Sequence, residues 1–277
     1  MGGAIALRLA GQGLDLIGWN RGRDKARLLA AQGLRVADSV EDALAVADIC
    51  VLVLSDNQAI VDTLFNAETV EMLAGRIILQ MGTIAPTESS LLAERVAAAG
   101  GAYLEAPVLG SLPEASEGRL IIMAGGEPDV FDRCQPILRL LGQNPRLIGP
   151  VGQGAALKLA MNQLIAGLTA TFSLSLGLVR AEGINVEQFM DLLRTSALYA
   201  PTFDKKLPKY LSHEYGKANF PLKHLLKDVR LFRRVAEPYS MDAALIMTIE
   251  AACARAMGQG YGDQDYSSVY EAINPKR

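Results

Sequence analysis

Cysteine, histidine and aromatic side chains are scarce in this chain of 277 residues, and neither sign of charge dominates. Three cysteines, Cys50, Cys134 and Cys253, stand far apart and odd in number, which argues against a disulfide framework or a zinc knuckle. They suit a reducing compartment, and Cys50, inside ADICVLVL, reads as a small buried hydrophobe. The two histidines, His213 and His224, are too isolated to suggest a metal site and read as surface or helix-end residues, so no metal is expected. With 27 Lys and Arg against 30 Asp and Glu the formal charge is -3, which offers no basic field to a phosphate backbone. No nucleic-acid partner is expected. Nor does a positively charged, apolar, small-residue leader open the chain, and the expectation is a cytoplasmic protein.

What the chain does have is apolar residues, half of the total, with about a fifth charged. That describes an alanine- and leucine-rich α/β or α protein of two modest domains. One stretch, from Leu159 to Val179, carries no charge over a length that could span a bilayer. It also carries Asn162, Gln163, Thr169, Thr171, Ser173 and Ser175, which are costly facing lipid. It reads as a long core helix with Lys158 at one end and Arg180 at the other, and no membrane partner is expected.

Strand and helix signals alternate through the first half. Apolar runs at 14–19, 34–37, 49–54, 76–81 and 102–105 read as strands; helices are expected over 24–31, 39–45, 58–65 and 86–99. RLIIMAGG and PRLIGP add strands near a far edge. This is the pattern of crossover units in a mainly parallel, doubly wound sheet of Rossmann type. The opening, MGGAIALRLAGQG, reads as the helix that follows a glycine-rich turn, with the first strand and the first two glycines of that turn missing before it. The expectation is a displaced start. From Gly152 onward only helices are expected, over 153–183, 185–197, 222–237 and 241–257. The reading is therefore two domains, 1–151 for a dinucleotide and 152–277 all-helical, with a cleft between them as the natural ligand site.

A glycine at the start of the first helix lets backbone approach a pyrophosphate at the helix's positive end, and Gly2 can serve so. The strand that follows ends in Asn20 and Arg21, with Arg23 and Lys25 close behind, where an NAD-preferring site has a carboxylate. A guanidinium suits a 2'-phosphate. A solvated charge cluster is the other reading; the strand-end position favours NADP(H) over NAD(H).

EAPVLGSLPEASEGRL and GQGAALKLAMNQ, taken with WNRGRDKA, MGTIAP and FPLKHLLKDVRL, resemble the β-hydroxyacid dehydrogenase family over nearly the whole length. That family includes 3-hydroxyisobutyrate dehydrogenases and glyoxylate/succinic semialdehyde reductases. The resemblance implies that Leu54, Ser55 and Thr83 line the nicotinamide side of the cofactor and that Lys158 is the catalytic lysine. It further implies that Asn162 is the neighbour of Lys158 toward substrate, that Lys227 contacts the cofactor with Asp228 beside it toward substrate, and that Phe220 packs against the substrate. Glu105, Leu109 and Ser111 depart from the family pattern Asp-x-Pro-Val-Ser-Gly-Gly, and Leu109 replaces a serine that commonly touches substrate.

The chemistry suits these residues. Reduction of an aldehyde puts negative charge on the carbonyl oxygen, and an acid must neutralise it. Lys158, early on an almost uncharged helix, is a credible donor whose pKa burial would lower toward the working range. Asn162 lies one turn on, on the same face. On the residues alone, a lysine snorkelling from a helix end fits equally well; the spacing from Gly152 to Asn162, set beside the family, favours catalysis. Ser111 and Glu114 have capping-box spacing with Pro113 early in the helix, and backbone N–H groups from Gly110 to Leu112, next to Leu109, could hold a substrate carboxylate.

The function implied is an NADPH-dependent reductase of a short carboxylated aldehyde, reversible toward the hydroxyacid, working as a homodimer or homotetramer on a small-molecule substrate. The alternatives are an imine reductase-like enzyme and a non-catalytic NADP-binding scaffold.

Overall fold

The computed structural model describes residues 1–275 and divides into two compact units, Met1–Leu159 and Ala160–Arg277. The first unit alternates as its apolar runs demand. Helix α1 (Gly2–Gly11) leads to β1 (Ile17–Gly18), α2 (Arg23–Ala30), β2 (Arg35–Val36), α3 (Val40–Ala45) and β3 (Ile49–Leu52). Then come α4 (Asn57–Leu64), a 3-10 turn (Val70–Leu73), β4 (Ile77–Gln80), α5 (Pro86–Ala98) and β5 (Ala102–Glu105). β6 (Val108–Leu109), α6 (Leu112–Glu117), β7 (Ile121–Gly126), α7 (Pro128–Leu141) and β8 (Arg146–Gly149) complete the sheet region. Local chemistry sets several starts. Ser39 and Asp56 cap α3 and α4 by accepting the N–H of Asp42 and Ala59, and Pro86 opens α5 where its missing N–H costs nothing.

β3, β4 and β5 pair in parallel, the register running Ile49 to Ile77 to Ala102. β7 then returns antiparallel between β5 and β6, and β8 pairs parallel with β7. β1 and β2 form a separate parallel pair of two residues each. Helix α1 begins on Gly2. The expected strand over 14–19 is paired only at Ile17 and Gly18, since β2 alone borders it. One core cluster joins Ile5 and Leu9 of α1 to Ile77, Leu79 and Leu104 of the sheet and to Phe131 and Leu138 of α7. A second, on the other face, contains Leu44, Ile60, Leu64, Ile78 and Leu92.

Helix α8 (Gln153–Ala181) begins in the first unit and runs into the second. The second unit continues with α9 (Val186–Thr195), α10 (Pro201–Ser212), α11 (Leu222–Ala236), α12 (Ala244–Gly258) and α13 (Val269–Ile273). Two clusters hold it. One packs Leu222, Leu225 and Val229 of α11 against Ile246, Ile249 and Cys253 of α12; the other stacks Phe172 of α8 on Phe203 at 4.5 Å and sets Tyr210 beside it.

The reading of α8 as a core helix needs correction. On its buried side Asn162, Thr169 and Ser173 lie among Leu159, Ala166, Phe172 and Leu176, whereas Leu164, Leu174 and Leu178 are 59%, 64% and 64% exposed. The helix therefore buries one side, of mixed apolar and polar residues, and leaves a stripe of leucine outward.

Candidate active site

In parallel α/β sheets the carboxyl ends of the strands converge on one edge, and ligands gather there. β1 hands on to Trp19, Asn20 and Arg21, and β2 to Asp38, Ser39, Val40 and Glu41; these residues, with Asp62, Thr63 and Asn66 of the α4 region, line a cavity of about 320 Å³. Arg21 thus sits where the sequence predicts, though three carboxylates share its cavity. Asn20 is half-buried, and Arg21, Arg23 and Lys25 are exposed.

β3 and β4 end side by side, Met81 N–H donating to the Leu52 carbonyl at 2.8 Å. Leu54 and Ser55 follow the first strand and Thr83 the second, so the structure brings these three together. The approach is close enough that a Cβ on Gly82 would lie 2.7 Å from the Leu54 carbonyl oxygen. Gly2 comes to the same edge: a Cβ there would meet Val53 at 3.4 Å. An open helix start, a close-packed pair of strand ends and a cavity holding a guanidinium and an indole are fitting surroundings for a dinucleotide.

The segment before α8, VGQGA, offers no Ser, Thr, Asp or Asn to cap a helix. The cap comes from β5. The buried Glu105 carboxylate accepts the N–H of Gly152 at 2.8 Å and of Ala155 at 3.1 Å, and it also takes the Ser89 hydroxyl, which lies 2.9 Å from Tyr103 Oη. Burial pushes the Glu105 carboxyl above the usual carboxylate range against the pull of these hydrogen bonds. Lys158 lies one further turn along α8, only 7% exposed. Asn162 follows by one more turn.

In the second unit Asn162, 3% exposed, donates through Nδ2 to Asp228 Oδ2 at 2.6 Å. Asp228 is equally buried on α11, and its Oδ1 lies 3.0 Å from Lys227 Nζ as an ion pair outside hydrogen-bond angles. The Asn162 carbonyl oxygen is buried with no hydrogen-bond partner, an acceptor a ligand could satisfy. Phe220 stacks on His224 with ring centroids 6.5 Å apart and meets Tyr266 edge-on at 5.7 Å. His213 ends α10, bonding Glu271 at 2.6 Å. Both histidines sit at helix ends, as expected.

The loop after β6 folds as its spacing predicts and corrects one expectation. Helix α6 begins after Ser111 with Pro113 in its first turn. Yet the Ser111 N–H and hydroxyl both donate to Glu114 Oε2, at 2.7 and 2.5 Å. Glu114 already satisfies that N–H, so it is not a donor for a substrate carboxylate. Gly110 is held by its φ of +139° and by Leu120, which a Cβ would strike at 2.8 Å. Leu109 is half-buried and pairs across the sheet with Ile121.

Sequence reasoning gave no role to Glu105, Ser89 or Trp19. The missing N-cap before α8 was the signal for the first two.

Two family models match the chain: the NAD binding domain of 6-phosphogluconate dehydrogenase over residues 1–149, and the NAD-binding domain of NADP-dependent 3-hydroxyisobutyrate dehydrogenase over residues 152–273. Glyoxylate/succinic semialdehyde reductase 1 of Arabidopsis thaliana is 30% identical across the whole chain and 96% of its own length. The chain belongs to the β-hydroxyacid dehydrogenase family. This hydroxyacid dehydrogenase is thus an NAD(P)-dependent oxidoreductase with a nicotinamide cofactor. In fold it is similar to the 3-hydroxyisobutyrate dehydrogenase of Mycobacterium tuberculosis, with a TM-score of 0.88 at 20% identity over 99% of this chain and 95% of that one. It is also 26% identical to the human cytokine-like nuclear factor N-PAC over 98% of the chain, spanning 49% of that longer protein.

Proposed function

We propose that this hydroxyacid dehydrogenase reduces a short carboxylated aldehyde, such as glyoxylate or succinic semialdehyde, at the expense of NADPH, and runs in reverse on the hydroxyacid. The observation that carries the reading is a buried lysine one turn before a buried Asn162 that is itself oriented by Asp228. When bound, the reduced nicotinamide supplies the hydride. Lys158 donates the proton from its ammonium to the carbonyl oxygen as that oxygen becomes anionic, and takes it back in the oxidative direction. Asp228 fixes the Asn162 amide, leaving the unpartnered carbonyl oxygen of Asn162 to accept from a substrate hydroxyl or from an ammonium. Lys227, ion-paired to Asp228, is assigned to the cofactor, and Phe220 and Leu109 to the apolar part of the substrate.

On the cofactor side Gly2 gives the pyrophosphate an open helix start, Leu54, Ser55 and Thr83 flank the nicotinamide, and Arg21, with Asn20, Arg23 and Lys25 near it, takes the 2'-phosphate. Residues 1–151 form the cofactor domain and 152–277 the helical domain. The outward leucines of α8 support a homodimer or homotetramer in which a second copy covers that face. Three free thiols agree with the cytoplasm.

The test is loss of absorbance at the reduced-nicotinamide band with glyoxylate and with succinic, methylmalonate and tartronate semialdehydes. Turnover of one or more, faster with NADPH than NADH, is expected; no turnover with any of them refutes the proposal. A cyclic imine in the same panel covers a second reading, favoured by the apolar Leu109 and Ile121 pair and by likeness to an imine reductase of Myxococcus stipitatus, TM-score 0.67 at 20% identity.

A further inference from the structure

We propose that Glu105 is a positioning residue for the reaction: from β5 it caps the amino end of α8 and so fixes the turn that carries Lys158. The inference rests on the acid–base role assigned to Lys158.

A helix start leaves its first N–H groups without partners, and a local side chain usually satisfies one of them. Here glycine occupies the cap position, and a single carboxylate 47 to 50 residues earlier satisfies the Gly152 and Ala155 N–H groups together. The site is built for a side chain of that length. Gly125, which pairs with Glu105 across β5 and β7, could not carry a Cβ without striking Glu105 Oε1. A Cβ on Gly154 would come within 3.1 Å of the same oxygen. Gly152 holds φ at +98°, a conformation that glycine adopts without strain. Ser89, fully buried on α5, donates to the other carboxylate oxygen and is within reach of Tyr103, so the carboxylate is held from both sides.

Such an arrangement ties the helix start to the sheet rather than to its own loop. β5 is pinned between β4 and β7, Gln80 and Gly125 flanking Glu105, so residue 105 cannot follow the helix if its side chain is shortened. Removing one methylene withdraws the carboxylate by about 1.5 Å. That breaks both N–H contacts and frees the first turn. Lys158 sits just beyond it, and an error of about 1 Å in a catalytic group can lower the rate by about 10²-fold.

The test compares Glu105→Asp with Glu105→Gln, which keeps the length and one acceptor oxygen. Glu105→Asp should lower kcat by roughly 10- to 100-fold and leave the KM for NADPH within about twofold. Glu105→Gln should stay within about threefold of the wild type. Amide hydrogen exchange over residues 152–158, followed by mass spectrometry with no substrate present, should quicken by about tenfold or more in Glu105→Asp and not in Glu105→Gln. If Glu105→Asp fails to fold, Ser89→Ala takes its place, with a smaller fall in kcat and quicker exchange in the same segment. Exchange unchanged in the shortened variant, or a lowered melting temperature with full kcat, overturns the proposal. The expected exchange pattern in a wild-type protein that reduces no aldehyde would instead overturn the reductase reading and leave the hold of Glu105 on that turn intact.

Discussion

The outward stripe of α8 makes the proposed homo-oligomer testable by substitution. Leu164, Leu174 and Leu178 are 59%, 64% and 64% exposed. Burying a leucine completely is worth about 1.5–3 kcal/mol, so covering the exposed three-fifths of each returns about 1–2 kcal/mol. A twofold interface uses each residue twice, giving roughly 6–12 kcal/mol from these three positions. Association costs on the order of 4–15 kcal/mol in lost motion. The leucines would therefore supply a gain comparable with the cost, and the proposed assembly should not survive their loss. Changing all three to Gln keeps helix propensity and removes that gain, and the dissociation constant should rise by about 10⁴-fold or more. Light scattering after gel filtration, or sedimentation velocity at about 10 μM, should find the wild type at a multiple of the 29.6 kDa chain mass and the triple variant at that mass. A variant with unchanged mass, or a monomeric wild type, refutes the argument.

Burial, aided by Lys227 and Lys223, holds the His224 imidazole below its ordinary pKa of 6.5. The neutral ring is the folded form, so its contribution to stability is full above 6.5 and lost as the pH falls through the folded value. Of the two histidine ring signals in NMR, that of His224 should titrate below 6.5, and replacing it with Asn should flatten the acid loss of urea resistance; a normal midpoint contradicts this. Gly82→Ala drives a methyl to 2.7 Å from the Leu54 carbonyl oxygen. It should cost about 1–3 kcal/mol of stability and weaken NADPH binding, read by nucleotide fluorescence; affinity within about twofold of wild type would separate these strand ends from the cofactor.

Much of the first unit was legible because its strands are short apolar runs between helical signals, and β5 emerges with the bounds the sequence predicts, Ala102–Glu105. Helices α7 and α10 were not, and each carries an internal proline, Pro136 and Pro208, of the kind that ordinarily ends a helix. β6 escaped because two residues make no periodicity. For α8 the missing charge gave the element but not its orientation: composition counts apolar residues, and only the fold decides that Leu159, Asn162, Ser173 and Leu176 turn in while Leu164, Leu174 and Leu178 turn out. At the site, the spacing of Lys158 and Asn162 could be read along one helix. The Asn162 hydrogen bond to Asp228 joins residues 66 apart, and no local pattern encodes it. The capping box at Ser111 was readable, and with it that Glu114 takes the Ser111 N–H, which rules that N–H out as a donor to a ligand.

The central claim is that Lys158 transfers the proton. Replacing it with Met keeps all but the terminal atom of the length and an apolar stem in a position only 7% exposed, so the fold should hold and NADPH should still bind. Single-turnover oxidation of bound NADPH by the best aldehyde of the panel measures the step directly. A fall of about 10²- to 10⁴-fold is predicted, the range that general acid catalysis supplies. A Lys158→Met enzyme that oxidises its bound NADPH at the wild-type rate contradicts the account.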